Sequence, residues 1–155
     1  MKKIIASASI CLILCIALSL VGCGNEFAKR EYNDTEKIVQ LEDRYAKENS
    51  VFNPINGGYA LTASKFNGRQ TLWNKTIEEN ADMEVRLDLS VSSGHVKVVH
   101  IDCDSSITVL AECSQANSDK QSVMKSLSLK VGLNRFKIVG YNCKAIDLKL
   151  YFDEP

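Results

Sequence analysis

The feature that most constrains the fold of this chain is a strict alternation of apolar and polar residues from Met83 to Val91. Every second residue in this stretch is apolar, and a charged or polar residue separates each from the next. Successive side chains of a β-strand point to opposite faces, so a period of two indicates a strand with one buried face. The same alternation returns from Ile146 to Phe152. The sequence therefore predicts a sheet with one side in a core.

Turn-forming residues divide the region between these two stretches into further short strands. Ser92-Ser93-Gly94 and Asp104-Ser105-Ser106 mark two of the turns, and Gly132-Leu133-Asn134 marks a third. The predicted strands between them are Val96 to Asp102, a strand with Ile107, Val109 and Ala111 on one face, a strand with Leu127, Leu129 and Val131, and Arg135 to Tyr141. Tyr59 to Phe66 and Gln70 to Lys75 are weaker candidates around a turn at Asn67-Gly68.

Six to eight short strands without a helical pattern between them predict an all-β fold. The arrangement is an antiparallel β-sandwich or a closed sheet, and the roughly 100 residues after Val51 suit a two-sheet sandwich. We therefore predict a β-sandwich domain over residues 51–155.

Residues 23–50 are rich in charge and poor in apolar residues, unlike the rest of the chain. Asn33 followed by Glu36 resembles a capping box, and an apolar stripe at helical spacing comes after it. We predict a short helix from Asp34 to Lys47, with the stripe formed by Ile38, Leu41 and Tyr45. The stripe is narrow, which favours a spacer or a helix laid against the domain over a partner-binding helix.

The N-terminus has the layout of an export signal. Lys2 and Lys3 precede an apolar run from Ile4 to Val21. Serines within the run make it only modestly apolar for a permanent membrane span, which needs about 20 apolar residues. Residues 1–22 are therefore predicted to be a signal peptide, with an uncleaved signal anchor as the alternative.

Leu20-Val21-Gly22-Cys23 resembles the lipobox of bacterial lipoproteins. The resemblance implies cleavage between Gly22 and Cys23 and a diacylglycerol on the thiol of Cys23. It also implies a membrane partner and an extracytoplasmic location at the cell membrane. An ordinary cleaved signal is less favoured, because cysteine is an unusual first residue of a mature chain without the lipid.

A second resemblance covers parts of the predicted sandwich. The stretches Ser92 to Asp102 and Leu127 to Gly140 look like segments of small bacterial lipoproteins of unknown function. The resemblance spans roughly Asn67 to Phe152 and implies a β-sandwich in the cell envelope. It transfers no catalytic or binding residue.

Charge excludes one class of partner. The 19 basic residues include Lys2 and Lys3, so the chain from Cys23 carries 17 basic and 19 acidic residues and a net charge of −2. A near-neutral chain with dispersed charge lacks the basic surface of a nucleic-acid-binding protein. We therefore expect no nucleic-acid partner.

Three cysteines remain beyond the predicted anchor: Cys103, Cys113 and Cys143. An extracytoplasmic location permits a disulfide. If the turns at Cys103 and Cys143 share one end of the sandwich, these two are the easiest pair. Cys113 suits burial as a small apolar residue. The alternative, that all three thiols are free, is equally favoured because the count is odd.

The sequence offers no convergent catalytic or metal-binding set. His100 and Asp102 are two residues apart on a predicted strand, with His95 nearby, but two ligands on one face are fewer than a zinc site requires. The chain has no Gly-x-Ser-x-Gly motif and no glycine-rich phosphate loop. We therefore expect a non-catalytic protein without a metal or cofactor.

Exposed aromatic residues are the candidate ligand-binding groups. The four candidates are Tyr59, Trp73, Tyr141 and Tyr151. Tyr151 has the opposite parity to the inward residues of its strand and is predicted to be exposed, while a lone tryptophan such as Trp73 is more often buried. The sequence thus favours an anchored β-sandwich that presents an interaction surface to protein or envelope partners. A glycan-binding module is the alternative, because aromatic rings stack on sugars.

Overall fold

The protein is an antiparallel β-sandwich with two short helices at its N-terminal end, as a computed structural model describes for residues 23–114 and 120–153. The predicted fold class is confirmed. The helices and strands are α1 Cys23–Glu31, α2 Thr35–Ile38, β1 Arg44–Glu48, β2 Val51–Ile55, β3 Gly58–Ile77, β4 Ala81–Ser90, β5 Ser93–Ile101, β6 Ile107–Cys113, β7 Gln121–Leu129 and β8 Gly132–Phe152.

Two long strands, β3 and β8, pair along almost their whole length and run through both layers of the sandwich. Gly58 pairs with Tyr151 at one end of this ladder and Ile77 pairs with Gly132 at the other. One layer combines β2, the first half of β3, the second half of β8, β4 and β7. The other combines β1, the second half of β3, the first half of β8, β5 and β6.

The alternation read from the sequence faces the core as predicted. The apolar residues of β4 and of the second half of β8 are buried, while the residues between them are exposed or half-buried. They pack in one cluster with residues of β3, β5, β6 and β7. The inward set comprises Met83, Val85, Leu87, Leu89, Ile146, Leu148, Leu150 and Phe152.

The predicted turn at Asn67-Gly68 is wrong, because β3 continues through it as a bulge. Gly68 has φ +110°, and a Cβ atom there would lie 2.0 Å from the carbonyl oxygen of Arg44. A glycine therefore allows β1 to approach β3 at this point. The predicted strands on either side are one strand, as are Arg135 to Tyr141 and Ile146 to Phe152.

A second bulge changes the faces of β6. Val98 pairs with Ala111 and Val99 pairs with Val109, so Leu110 is an extra residue. Ala111 is buried in the core, whereas Val109 is 40% exposed. The prediction that Ile107, Val109 and Ala111 share one face is therefore wrong, because an inserted residue reverses the parity of a strand.

The helix predicted from Asp34 to Lys47 begins as predicted but is much shorter. Helix α2 ends at Ile38, and Arg44–Glu48 forms strand β1 against β3. Its N-cap is Asp34, whose Oδ1 accepts a hydrogen bond from the amide of Lys37, so the Asn33–Glu36 capping box does not form. Because β1 belongs to the sheet, the sandwich extends before the boundary predicted at Val51.

Three basic side chains of the sheet explain why α2 stops. Arg69 donates to the carbonyl oxygens of Lys37 and Glu42. Arg135 donates to the carbonyl oxygens of Val39 and Gln40, and Lys137 also donates to that of Gln40. These carbonyls would otherwise accept helical hydrogen bonds or face water.

Residues 23–43 cover the outer face of the layer that contains β5. Ala28, Tyr32 and Ile38 are buried there, and Tyr32 and Ile38 pack against Val99 and Val139. The segment is therefore docked on the domain, which agrees with the prediction of a helix laid against it, and the spacer interpretation is wrong for this part. Within the described residues, no helix has the length and apolar character needed to cross a membrane.

Candidate functional site

Two of the four predicted aromatic residues line one shallow depression at the edge of the sandwich. Tyr59 is half-buried, and Trp73 is 5% exposed, which confirms its predicted burial. The depression has a volume of about 520 Å³ and is lined by Phe52, Tyr59, Thr71, Leu72, Trp73, Asn74 and Lys75. We call it the aromatic depression.

The hairpin of β2 and β3 places the aromatic rings of this depression. Phe52 pairs with the buried Leu61, so both point toward the core. Tyr59 pairs with Pro54, two residues further along the two strands and on the same face. The rings of Phe52 and Tyr59 stack with centroids 5.5 Å apart at 20°. Strand β1 pairs only with Lys65 to Arg69 of β3, so it does not cover this edge. The stacked rings therefore stay partly accessible.

Trp73 supports the depression from the core side. Its ring stacks on Phe136 at 5.0 Å and meets Phe152 edge-on at 5.3 Å. The ring of Tyr59 lies 6.1 Å from that of Phe152. The aromatic depression is thus the outer end of an aromatic cluster that extends into the core, which fixes the position of its rings.

The other two candidate aromatic residues lie elsewhere. Tyr151 is on the open outer face of the first layer, where the Arg86 guanidinium lies 4.2 Å from the centroid of its ring. It is half-buried rather than fully exposed, because Arg86 covers part of the ring. Tyr141 is on the second layer. The four aromatic residues therefore do not form one flat platform.

Tyr141 lines a larger groove, which we call the lysine groove. It has a volume of about 890 Å³ and lies where α1, β1 and the bends of β3 and β8 meet. Tyr141 stacks on His95 with ring centroids 4.6 Å apart, and Tyr32 meets Tyr141 edge-on at 5.1 Å. The charged side chains that line the groove are Lys29, Lys47, Lys65, Lys144 and Glu48.

The lysines of this groove differ in their partners. Lys65 forms an ion pair with Glu48 at 3.0 Å, and Lys47 donates to the side-chain oxygen of Gln70. Lys29 and Lys144 are exposed, and neither ammonium group pairs with a carboxylate of the described residues. The groove therefore carries more positive than negative charge.

Buried groups beneath the groove are structural. The Cys143 thiol donates to the carbonyl oxygen of His95 at 3.0 Å, and burial raises the pKa of this thiol to about 12. Behind the groove wall, the Tyr32 hydroxyl donates to Glu112 at 2.7 Å. Burial first, and then this hydrogen bond, raise the pKa of Tyr32 above its usual value. Neither group is poised to react near neutral pH.

The Cys103–Cys143 disulfide is not formed, and Cys103, Cys113 and Cys143 are all free, which is the alternative that the sequence favoured equally. Cys143 lies beside Gly94 at the start of β5, while Cys103 follows the end of β5 and lies against Gly132. The eight residues between these ends span about 26 Å in a strand. A disulfide requires Cα atoms within about 7 Å of each other.

His100 and Asp102 do not form a ligand pair. His100 points into the core, where its Nε2 is 3.1 Å from Oδ1 of Asn134. Asp102 accepts hydrogen bonds from the amides of Asp104 and Ser106 in the turn and pairs with Lys130 at 2.9 Å. The residues that the structure describes contain no group of three or more His, Cys, Asp or Glu able to hold a metal ion.

Sequence reasoning missed Phe52 and the lysine groove. A signal for Phe52 was present, because Asn56-Gly57 between two apolar stretches is typical of a hairpin turn. That hairpin would have placed Phe52 beside Tyr59. No local pattern could have found the groove, since its lysines come from α1, β1, β3 and β8.

No protein-family model matches the chain, and no curated protein does either. Several solved structures are similar to it. A carbohydrate-binding module of the Cellvibrio mixtus lichenase 5A, in complex with cellotriose, is 11% identical, with a TM-score of 0.36 over 78% of this chain and 94% of the module. A family 29 carbohydrate-binding module complexed with mannohexaose is 10% identical, with a TM-score of 0.41 over 72% of this chain and 93% of the module.

An enzyme also appears among the similar structures. The exo-β-1,3-galactanase of Phanerochaete chrysosporium, with β-1,3-galactotriose, is 15% identical, with a TM-score of 0.37 over 71% of this chain. The chain spans only 27% of the length of that enzyme. Each of these ligands is bound by the protein in whose structure it is present.

Proposed function

We propose that this protein is a lipid-anchored, extracytoplasmic and non-catalytic module that binds a glycan of the cell envelope at the aromatic depression. The observation that carries the proposal is the stacked pair of Phe52 and Tyr59 at an uncovered edge of the sandwich. Aromatic rings bind the apolar faces of sugar rings, while polar groups at the rim bind the hydroxyls. Here Thr71, Asn74 and Lys75 supply the polar rim.

The composition of the depression favours binding over catalysis. Hydrolysis of a glycosidic bond ordinarily requires a pair of carboxylates on either side of the bond. The residues that line the depression include no aspartate, glutamate or histidine. An open depression with fixed rings is suited to hold a sugar chain without changing it.

The proposed anchor is the lipid on Cys23. Its support is the lipobox-like sequence together with the apolar run that precedes it. Two acyl chains hold a protein on a membrane far more firmly than one, because each buried methylene contributes about 0.8 kcal/mol. Expression of Cys23→Ser in a bacterial host tests the anchor. We expect uncleaved precursor and no palmitate labelling, and normal processing of the variant would contradict the assignment.

Glycan binding is tested by affinity electrophoresis of the mature chain, residues 23–155, in gels that contain peptidoglycan fragments or neutral polysaccharides. We expect retardation in at least one gel. Phe52→Leu and Tyr59→Leu keep apolar volume but remove the ring planes, so each should weaken binding about tenfold or more. Tyr45→Leu is the control, because Tyr45 is an exposed aromatic residue on β1 away from the depression.

Two outcomes would overturn the glycan proposal. One is normal mobility in every gel, and the other is unchanged retardation of both leucine variants. Far-UV circular dichroism of each variant checks that the sandwich is intact, so that a loss of binding is read as a loss of the rings.

A further inference from the structure

The lysine groove combines a concave surface with an excess of positive charge. Four lysines and one glutamate line it, and the amide of Asn25 and the hydroxyl of Ser93 add hydrogen-bond donors. This local charge contrasts with the net charge of −2 for the chain from Cys23. The groove is thus suited to bind an anion.

The position of α1 places this groove next to the proposed anchor. Asn25 and Lys29 are on α1, which begins at Cys23. With a rise of 1.5 Å per residue, Asn25 is about 3 Å and Lys29 about 9 Å from Cys23 along the helix axis.

Helix α1 is packed on the domain and is not a flexible tether. Ala28 is 1% exposed, and Arg44 forms an ion pair with Glu31 at 2.9 Å. The Arg44 guanidinium also lies 4.3 Å from the centroid of the Phe27 ring. An acyl chain on Cys23 would therefore bring the lysine groove to the lipid surface in a fixed orientation.

We propose that the lysine groove binds the phosphate headgroups of anionic membrane lipids and so sets the orientation of the domain on the membrane. A lysine near an anionic lipid surface raises affinity about fivefold. Lys29 and Lys144 contribute most, because no carboxylate of the described residues neutralises them. The orientation rests on the anchor proposed above, whereas headgroup binding by the groove does not.

The lysine groove and the aromatic depression are separate sites. It shares no lining residue with that depression. Headgroup binding at one site would therefore leave the glycan site on the edge of β2 and β3 accessible. Anchor, groove and depression would then act together to display the glycan site above the membrane.

The test is sedimentation of the protein with lipid vesicles. The protein is the mature chain with Cys23→Ser, which keeps every described strand and carries no acyl group. Vesicles of phosphatidylcholine alone are compared with vesicles of equal parts phosphatidylglycerol and phosphatidylcholine. We expect binding only to the anionic vesicles, and a strong loss of binding when salt rises from about 0.05 M to about 0.5 M.

A matched pair of double variants locates the binding. Lys29→Gln with Lys144→Gln should lower vesicle affinity about tenfold or more. Lys120→Gln with Lys149→Gln removes the same charge from exposed positions outside the groove, in the case of Lys120 from an ion pair with Asp88, and should change affinity less than threefold. All four lysines are exposed, so thermal unfolding of the variants should match that of the parent.

Each remaining outcome overturns the proposal. Equal binding to both vesicle types would exclude headgroup recognition, and equal loss in the two double variants would exclude the groove. Binding of inorganic phosphate at the groove without any binding of the anionic vesicles would assign the groove to free phosphate instead. Failure of the lipid anchor is a separate result, because it is read from processing of Cys23 and not from this acyl-free protein.

Discussion

Arg135 donates from Nη2 to the backbone carbonyl oxygen of Val39 at 2.8 Å, although the two residues are 96 positions apart in the chain. Arg135 is 6% exposed, and its Nη1 donates to the carbonyl oxygen of Gln40 at 3.1 Å. One side chain of β8 therefore holds the loop that follows α2.

We predict that Arg135→Met will lower the free energy of unfolding by about 1.5–3 kcal/mol, the usual range for a hydrogen bond to a charged group. The carbonyl of the half-buried Val39 loses its donor, and methionine cannot replace it. Urea unfolding followed by tryptophan fluorescence measures the change. Limited proteolysis should also show faster cleavage within residues 31–43.

Arg30→Met is the control for this prediction. Arg30 lies in the same N-terminal segment but is exposed, and its contact is with a carbonyl of its own helix. We expect a change below about 0.5 kcal/mol, as for most surface substitutions. Equal stability of the Arg135 variant and the parent would show that the arginine does not hold the segment.

Glycine positions in the bends give a second prediction. Gly94 has φ +94°, and a Cβ atom there would lie 2.3 Å from the carbonyl oxygen of Asn142. Gly94→Ala therefore adds a backbone clash to the cost of a left-handed conformation, and we expect a loss of about 2–4 kcal/mol. Gly57 has φ +73° with nothing within 4 Å of its would-be Cβ, so Gly57→Ala should cost only about 1–2 kcal/mol.

Thermal unfolding of both alanine variants compares these costs directly. The informative quantity is the difference between them, because the conformational strain is common to both. If Gly57→Ala proved as costly as Gly94→Ala, close packing of β5 against the bend of β8 would not be the reason that Gly94 is a glycine.

The core faces were predictable because they depend on local periodicity, and the bulges were not. A strand with one buried face must alternate, so Met83 to Val91 identified its own inward residues. An inserted residue such as Leu110 cannot be recognised from composition, but it exchanges the faces to which all following side chains of the strand point. The helix predicted through Leu41 failed for a related reason. Arginine side chains from distant strands donate hydrogen bonds to the backbone carbonyls that would have accepted the next helical hydrogen bonds.

The sites were predictable only in part. Tyr59 and Trp73 were identified as candidates, and they share one depression. Tyr141 and Tyr151 lie on different surfaces, since residue type alone does not reveal which strands become neighbours. Lys29 and Lys144 come together only because β8 bends at Asn142 and Ala145, both of which have positive φ.

The three thiols give a third prediction, made for the mature chain with Cys23→Ser. Cys103 is exposed, whereas Cys113 and Cys143 are buried. A maleimide reagent should therefore label one thiol in the native protein and three after unfolding without reductant. Desolvation first, and then the negative charges of Asp104 and Asp102, raise the pKa of Cys103, so its labelling should accelerate with pH. Intact-mass spectrometry counts the labels, and a single label after unfolding would indicate a disulfide.

His100 makes stability depend on pH in a defined window. Burial lowers the pKa of this imidazole, and the hydrogen bond with Asn134 and the charge of Asp102 only partly oppose it. In the unfolded chain the pKa returns to about 6.5. As pH falls below that value, the unfolded state takes up a proton that native His100 does not, so stability is lost. The slope for one proton is at most about 1.4 kcal/mol per pH unit.

His100→Gln tests this dependence, because glutamine donates a hydrogen bond to Asn134 but does not titrate. Asn134 uses its own amide hydrogens on the carbonyls of Lys130 and Gly132, so its Oδ1 must accept from residue 100. We expect urea midpoints of the parent to fall between pH 7 and pH 5 and those of the variant to fall less. Carboxylates titrate near pH 4 and act outside this window. Parallel pH profiles for the two proteins would mean that His100 is not the group responsible.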